Sequence, residues 1–217
     1  MIDIALVKSS LPALLRGSIY TLEIAAFSCT IGIILGLLAG LALSSQHRLV
    51  RAITNIYTGL FRGTPMLIQI LIATFAIPTL GIPISRFWAV VLAIGMNSGA
   101  YIAHIIKSGI GSVSIGQREA GKTVGLSDAQ IIWYIVLPQA IRVVLPALGN
   151  EFITLIKDSS LASYVGVQEL TKEGEIIAGR TLDAVTMYAT VALFYLIITG
   201  ILSIVVSAVE RRMNHHA

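Results

Sequence analysis

Charged residues are scarce in this sequence. Asp, Glu, Lys and Arg make up only 12% of its 217 residues, whereas soluble domains average about a quarter. Hydrophobic residues account for 56%, and the mean hydropathy is +0.87. These values exclude an ordinary soluble domain and indicate that lipid is the solvent for most of the chain.

Signs of disulfide, metal and nucleic-acid chemistry are also missing. Cys29 is the only cysteine, so no intrachain disulfide can form, and its apolar neighbours favour a packing role. The histidines lack cysteine or acidic partners at metal-ligand spacing, so no metal site is predicted. They are His47, His104, His215 and His216. No basic cluster is interleaved with aromatic residues, so we expect no nucleic-acid partner.

Long apolar segments are present instead. A transmembrane helix needs about 20 apolar residues, and suitable segments lie at roughly 18–43, 59–80, 87–106, 139–157 and 184–209. The N-terminal stretch lacks the short apolar core and cleavage site of a signal peptide, so we expect the first segment to be an uncleaved span. We predict an all-α integral membrane protein of about five helices, with residues 1–217 forming a single transmembrane domain.

The charges between these segments favour one orientation. Basic residues lie in 44–58, in 107–138 and in the C-terminal tail, which would share one side of the membrane. The other side would hold the N-terminus and the acidic stretch 158–183. Three basic residues on that side dilute the bias: Lys8, Arg16 and Arg86. Because Lys and Arg mark cytoplasmic loops, we predict the N-terminus outside, the C-terminus inside and the 107–138 loop in the cytoplasm.

The first apolar segment contains glycines at intervals of four residues: Gly32, Gly36 and Gly40. Such spacing forms a groove on one helix face in which a second helix can approach closely. The alternative is that these glycines are merely scattered through an apolar helix. Both interpretations concern helix packing, and neither implies chemistry.

The stretch GQREAGKT, from Gly116 to Thr123, satisfies the nucleotide-binding pattern G-x-x-x-x-G-K-[ST]. A working loop of this type follows a buried strand and opens a helix in an α/β domain. Here a glycine- and serine-rich link precedes it, and the carboxylate of Glu119 would oppose phosphate binding. The loop of about 30 residues is far too short for a nucleotide-binding domain. We therefore reject an ATP site here.

The same region is better explained as a helix–turn–helix over residues 113–138. Two Ser-x-x-Gln pairs fit helix capping boxes, namely Ser114 with Gln117 and Ser127 with Gln130. Gly125 lies where the first helix should end, and Pro138 suits the first turn of the next span. The second short helix is expected to end at Leu137–Pro138. Such a shape would either dock another protein or rest on lipid headgroups.

Three motifs then resemble a known family. The pattern E-A-G-x-x-x-G-x(9)-I-x-L-P runs through Glu119, Ala120, Gly121, Gly125, Ile135, Leu137 and Pro138. It resembles the EAA loop of ABC-importer permeases, with Gly121 replacing the second alanine of many members. The stretches Phe61–Leu71 and Leu145–Ser163 look like those of the polar amino acid permease subfamily.

This resemblance implies a function. The chain would be the multi-pass permease of an importer for polar, possibly cationic, amino acids in a bacterial inner membrane, and not itself an enzyme. Its partners would be two ATP-binding subunits, which alone bind ATP, a second permease chain (identical or a sister), an extracytoplasmic amino-acid-binding protein, and membrane lipid. If the docking role of the EAA loop in that family also holds for this sequence, the residues that contact the ATPase are Glu119, Ala120, Gly121 and Gly125.

The fourth span offers a candidate substrate path. Glu151 lies 13 residues beyond Pro138, or about 20 Å along a helix, well inside the bilayer core. Pro146 and Gly149 precede it, which predicts a kinked or broken helix of the kind that transporters use for binding sites. Asn150, Glu151 and Thr154 could contact a polar ligand. Alternatively, Glu151 pairs with Arg142 or Lys157, or closes a permease dimer.

The third span adds a polar helix face. Asn97, Tyr101 and His104 are spaced to share that face, next to Ser98. Asn97 and Tyr101 would either line the same path or form hydrogen bonds between helices. The function that competes with an ABC permease is a secondary transporter or channel that needs no ATPase. Such carriers more often contain an internal repeat of spans, which we do not find in this sequence.

Overall fold

The computed structural model describes residues 2–214, so His215 and His216 lie outside the described part of the chain. Every regular element in residues 2–214 is helical. In chain order these are α1 (Ile4–Ser44), α2 (Arg48–Gly63), α3 (Met66–Thr79), α4 (Arg86–Gly111), α5 (Ile115–Thr123), α6 (Asp128–Ile131), a π-helical segment (Ile132–Val136), α7 (Leu137–Asp158), a 3₁₀ segment (Ser159–Val165), α8 (Leu170–Thr181) and α9 (Ala184–Asn214). The predicted all-α class is confirmed.

The number of membrane spans also agrees with the sequence. By length and composition, four helical stretches can cross a membrane: Ile4–Ser44, Arg86–Gly111, Asp128–Val165 and Ala184–Met213. The pair α2 and α3 makes a fifth span if the two bent helices cross together. About five spans were predicted, and the described residues supply four or five.

The first helix begins much earlier than the predicted position 18. Asp3 caps it, because its side chain accepts hydrogen bonds from the backbone amides of Ala5 at 2.8 Å and Leu6 at 3.1 Å. An aspartate at this position satisfies amides that have no partner within the helix. The helix then continues through Pro12. Charged residues near the N-terminus interrupt the apolar pattern, so the sequence predicted a later start, but they do not interrupt the helix.

The segment predicted as one span at 59–80 is bent instead. Helix α2 ends at Gly63, α3 begins at Met66, and the two axes differ by 102°. Pro65 explains the break, since proline lacks an amide donor and drives the preceding residue out of helical geometry. Thr64 accordingly has φ −121° and ψ 147°.

Helices α1 and α4 pack closely through the glycines of α1. Each glycine faces a different α4 side chain: Gly32 faces Ser98, Gly36 faces Ile102 and Gly40 faces Ile106. A Cβ atom at Gly40 would lie 2.7 Å from Cβ of Ile106, and one at Gly36 would overlap Ile102. The structure therefore places the glycine stripe in the interface between two spans, where it lets the backbones approach closely.

The second half of the 113–138 loop is not a separate short helix. Helix α6, the π-helical segment and α7 follow one another without a gap, so the helix that was expected to end at Leu137–Pro138 continues to Asp158. Pro138 lacks an amide, and its ring would crowd the carbonyl one turn earlier. A π-helical turn directly before the proline relieves that conflict. The predicted capping box forms at Ser127, but Ser114 makes no side-chain cap hydrogen bond.

A buried carboxylate fixes the segment between α7 and α9. Glu169 is fully buried and accepts hydrogen bonds from the amides of Thr171 and Lys172, both at 2.8 Å, at the start of α8. The hydroxyl of Tyr195 in α9 donates to the same carboxylate at 2.9 Å. Burial raises the pKa of Glu169, while these hydrogen bonds act in the opposite direction.

Candidate functional site

A cavity of about 350 Å³ lies between α4 and α7. Its lining residues are Tyr101, His104, Ile105, Ser108, Val143, Ala147 and Glu151. Tyr101 and His104 come from the polar face predicted on α4, and Glu151 comes from α7. The structure thus brings together three of the polar residues that the sequence marked in two separate spans.

Glu151 has a partner on α4. The hydroxyl of Ser98 donates a hydrogen bond of 2.9 Å to its Oε1 atom. The sequence marked Ser98 only as a polar residue of the third span. Because Ser98 also lies against Gly32, the closeness of α1 and α4 helps to fix the hydroxyl that holds the carboxylate.

Helix α7 passes through Pro146 and Gly149 without a break. Of the kink or break expected at this point, the break is therefore absent, and the broken span is the α2–α3 pair. Asn150 and Thr154 face outwards on α7, where the Thr154 hydroxyl donates to the Asn150 carbonyl at 3.1 Å. Neither residue lines the cavity that contains Glu151.

Asn97 also points away from this cavity. It is buried, and its side-chain amide donates to the carbonyl of Phe61 and to Oε1 of Gln69, both at 2.9 Å. Asn97 therefore belongs to the α2–α3 bend and not to the surroundings of Glu151. Sequence reasoning missed Gln69, although a lone glutamine in the apolar run after Pro65 was a signal for it.

A basic side chain approaches the cavity from the end of α2. The guanidinium carbon of Arg62 lies 5.2 Å from the ring centroid of Tyr101, an arrangement typical of a cation–π contact. The structure thus places Arg62 beside an aromatic ring that lines the cavity.

The predicted docking residues occupy different environments on the 113–138 loop. Glu119 and Ala120 are exposed on α5, whereas Gly121 is buried against Ile131 and Ile135. Gly125 ends the helix with φ +85°, and the next amide, of Leu126, donates back to the Gly121 carbonyl at 3.0 Å. This is the expected glycine helix end.

The nucleotide-binding pattern does not form a phosphate-binding loop. All eight residues of the pattern, 116–123, lie within helix α5, so most of their amides are used by the helix itself. No cluster of three His, Cys, Asp or Glu residues that could hold a metal ion occurs in residues 2–214.

Residues 32–215 match the family model for the "Binding-protein-dependent transport system inner membrane component". The chain belongs to this family. It is therefore the membrane permease of an ABC importer, and ATP is hydrolysed by a separate subunit. An ATP-binding subunit and a substrate-binding protein are its partners. Membership of this family decides against the competing functions, namely a secondary carrier, a channel or a nucleotide-binding enzyme.

Curated relatives match along nearly the whole chain. The glutamine transport system permease protein GlnP of Escherichia coli K12 is 39% identical over 214 residues, which is 98% of both chains. The L-cystine transport system permease protein TcyB of Bacillus subtilis 168 is 39% identical over 210 residues, covering 96% of this permease and 90% of the relative.

A solved structure has the same fold. The crystal structure of an amino acid ABC transporter with histidines superposes with a TM-score of 0.93 at 35% identity, over 98% of this permease and 99% of the compared chain. The resemblance to ABC-importer permeases, first indicated by the EAA pattern, is confirmed.

Proposed function

We propose that the permease transports polar amino acids and that the cavity between α4 and α7 binds the amino acid during its passage. The proposal rests on Glu151, because this residue of a membrane-spanning helix places an ionisable side chain in the cavity. Ionisable groups inside spans are costly and usually functional. The relatives named for glutamine and L-cystine transport support a polar amino acid as the substrate class.

The side chains around the cavity suit a zwitterion. Glu151 can accept hydrogen bonds from an ammonium group, and Arg62, beside Tyr101, can face a carboxylate. Arginine is well shaped for carboxylate recognition. An amino acid carries both groups on its backbone. In the narrower version of this proposal, Glu151 binds the cationic side chain of arginine, lysine or histidine instead.

The proposed orientation puts the N-terminus outside, the C-terminus inside and α5 in the cytoplasm. The distribution of basic residues supports this arrangement. In our proposal the exposed residues Glu119 and Ala120 contact the ATPase, while Gly121 and Gly125 shape the turn beneath them. The full importer would contain two ATPases, a second permease chain (identical or a sister) and an extracytoplasmic amino-acid-binding protein, in a bacterial inner membrane.

Uptake by proteoliposomes that contain the complete importer tests this proposal. We expect Glu151→Gln to reduce ATP-dependent uptake about tenfold, the rate equivalent of about 1.4 kcal/mol. Glu175→Gln is the matched control, because Glu175 is a surface carboxylate of α8 whose partner is Lys172 at 3.0 Å.

The loss of uptake, compared between different amino acids, distinguishes the two versions of this proposal. An equal loss for glutamine and arginine, without loss of thermal stability, indicates binding of the α-ammonium group. A loss confined to arginine, lysine and histidine indicates side-chain recognition. Normal uptake of every amino acid by the Glu151→Gln importer would refute the role of this cavity.

A further inference from the structure

An apolar groove with a volume of about 290 Å³ lies between α1 and α7, above α4. Leu37 and Leu41 of α1 and Ile141 and Leu145 of α7 form its exposed walls, and the buried Ile106 of α4 belongs to its floor. Every residue that lines the groove is isoleucine, leucine, valine or alanine. A concave surface of this composition on membrane-spanning helices marks a site for hydrocarbon and not for a polar solute.

The size of the groove suits an acyl chain better than a helix. One turn of α-helix, about 10 Å wide and about 5.4 Å long, fills about 420 Å³, which exceeds the volume of the groove. Along α7 the groove extends from Leu137 to Leu148, or roughly 16 Å at 1.5 Å per residue. That length is close to the depth of one leaflet, since the whole hydrocarbon core is about 30 Å thick.

A polar cavity of about 560 Å³ adjoins the end of the groove nearest α5. Along the helix that continues into α7, Val136 lines the polar cavity and the next residue, Leu137, lines the groove. At the end of α4, the guanidinium of Arg118 in the polar cavity donates a hydrogen bond of 2.7 Å to the carbonyl of Ile110 in the groove. The apolar groove therefore leads into a polar space at the ends of the spans.

The charges around the polar cavity cancel. Two basic and two acidic side chains line it, namely Arg118, Lys122, Glu119 and Asp128. Nζ of Lys122 lies 3.3 Å from Oδ1 of Asp128. Nε of Arg118 is buried and has no hydrogen-bond acceptor among residues 2–214. Because a guanidinium matches the geometry of phosphate, this mixture of charges is complementary to a headgroup that contains one phosphate and one ammonium group.

We propose that the groove and the polar cavity together form a phospholipid site, with one acyl chain between α1 and α7 and a phosphoethanolamine headgroup at the charged side chains. Arg118 binds the phosphate, and the carboxylates of Glu119 and Asp128 accept hydrogen bonds from the ammonium group. A carboxylate has two acceptor oxygens, so Glu119 can contact the ATPase as well. The inference does not rest on the proposed role of Glu151, because no residue lines both the groove and the cavity of Glu151.

Native mass spectrometry of the complete importer, purified in detergent and titrated with dioleoyl phosphatidylethanolamine, tests the groove. We expect Leu41→Trp to remove one bound lipid per permease chain, because the larger side chain fills the groove. Leu38→Trp is the matched control, since Leu38 is exposed on the same helix but does not line the groove. Leu145→Trp blocks the groove from α7 and serves if the Leu41→Trp importer does not assemble.

The headgroup is tested with the same measurement. Arg118→Met should weaken retention of phosphatidylethanolamine about tenfold, as expected for the loss of one hydrogen bond between charged groups. Arg118→Lys should recover part of this loss, and Arg180→Met, at an exposed position of α8, is the control. Dioleoylglycerol has the same acyl chains without phosphate. Equal retention of both lipids by the wild-type importer would overturn the site, and stronger retention of phosphatidylglycerol would refute the role of the two carboxylates.

Other occupants of the groove and the polar cavity predict different losses. If a second permease chain fills the groove, Leu41→Trp separates the two permease chains and leaves lipid retention unchanged. If the ATPase fills the polar cavity, Arg118→Met lowers ATPase co-purification and not lipid retention. Either result refutes the phospholipid site. None of these measurements depends on amino acid uptake, so failure of the lipid site is distinguishable from failure of the proposed function.

Discussion

The side-chain nitrogen of Asn97 lies 2.9 Å from Oε1 of Gln69, which joins the middle of α4 to the first turn of α3. Both amides also donate to the Phe61 carbonyl, at 2.9 Å from Asn97 and 2.8 Å from Gln69. Gln69 further donates to the carbonyl of Thr64 at 3.1 Å. These carbonyls lose their helical partners where Pro65 breaks the span. Two amide side chains thus supply the hydrogen bonds that the 102° bend removes.

Asn97→Ala should therefore destabilise the permease without a specific effect on substrate binding. The change leaves Oε1 of the half-buried Gln69 without its donor, at a cost of roughly 1 kcal/mol, the lower end of the range for a buried polar group. Thermal denaturation in detergent measures this loss, with Asn55→Ala as the control at an exposed position of α2. Unchanged stability combined with weakened uptake would instead restore Asn97 to the substrate path.

The glycine stripe of α1 makes a second prediction. Gly36→Ala should lower thermal stability, because the new methyl group overlaps Ile102 and the two spans must move apart. Gly59→Ala is a matched control, since an added Cβ there meets no atom within 4 Å. In the control, the better helix propensity of alanine should leave stability equal or slightly higher. Equal stability of both variants would show that the α1–α4 interface tolerates separation.

The sequence predicted some of these features better than others. Span positions follow from apolar length alone, so α4 and α9 lie close to their predicted ranges. The bend at Thr64–Pro65 was missed because hydropathy contains no information about the direction of the helix axis, although Pro65 itself was visible in the sequence. Helical spacing brought Tyr101 and His104 together, but it could not show that Asn97, one turn earlier, faces α2 and α3. That distinction depends on which helix lies beside each part of α4.

Gly121, within α5, and Gly125, just after α5, should differ in their tolerance of alanine. At Gly121 a Cβ would lie 2.9 Å from Cδ1 of Ile135, the mobile end of a side chain, and alanine favours the helix by about 1 kcal/mol. At Gly125 the φ of +85° disfavours any side chain, at roughly 1–2 kcal/mol. We expect normal ATPase co-purification with Gly121→Ala and weaker co-purification with Gly125→Ala. The reverse order would mean that Gly121 itself lies in the docking surface.

Tyr195 and Glu169 lead to a prediction that depends on pH. Tyr195→Phe removes a donor from a fully buried carboxylate and should cost roughly 1.5–3 kcal/mol while that carboxylate is ionised. Burial already raises the pKa of Glu169 above its ordinary value, so the folded protein binds this proton more tightly than the unfolded chain does. The contribution of Glu169 to the free energy of unfolding therefore falls as pH rises through the raised pKa. Above the raised pKa, this contribution no longer changes with pH.

Loss of the tyrosine hydroxyl raises the pKa of Glu169 further, because the hydroxyl hydrogen bond favours the ionised form. The destabilisation by Tyr195→Phe should then be largest near pH 7 and smaller near pH 4.5, where the proton is bound more often. Thermal denaturation at both pH values measures the difference, and Tyr188→Phe, at a half-exposed position of the same helix, is the control. A loss of equal size at both pH values would mean that the hydroxyl contributes through its contact with Thr171, 3.0 Å away, and not through the charge of Glu169.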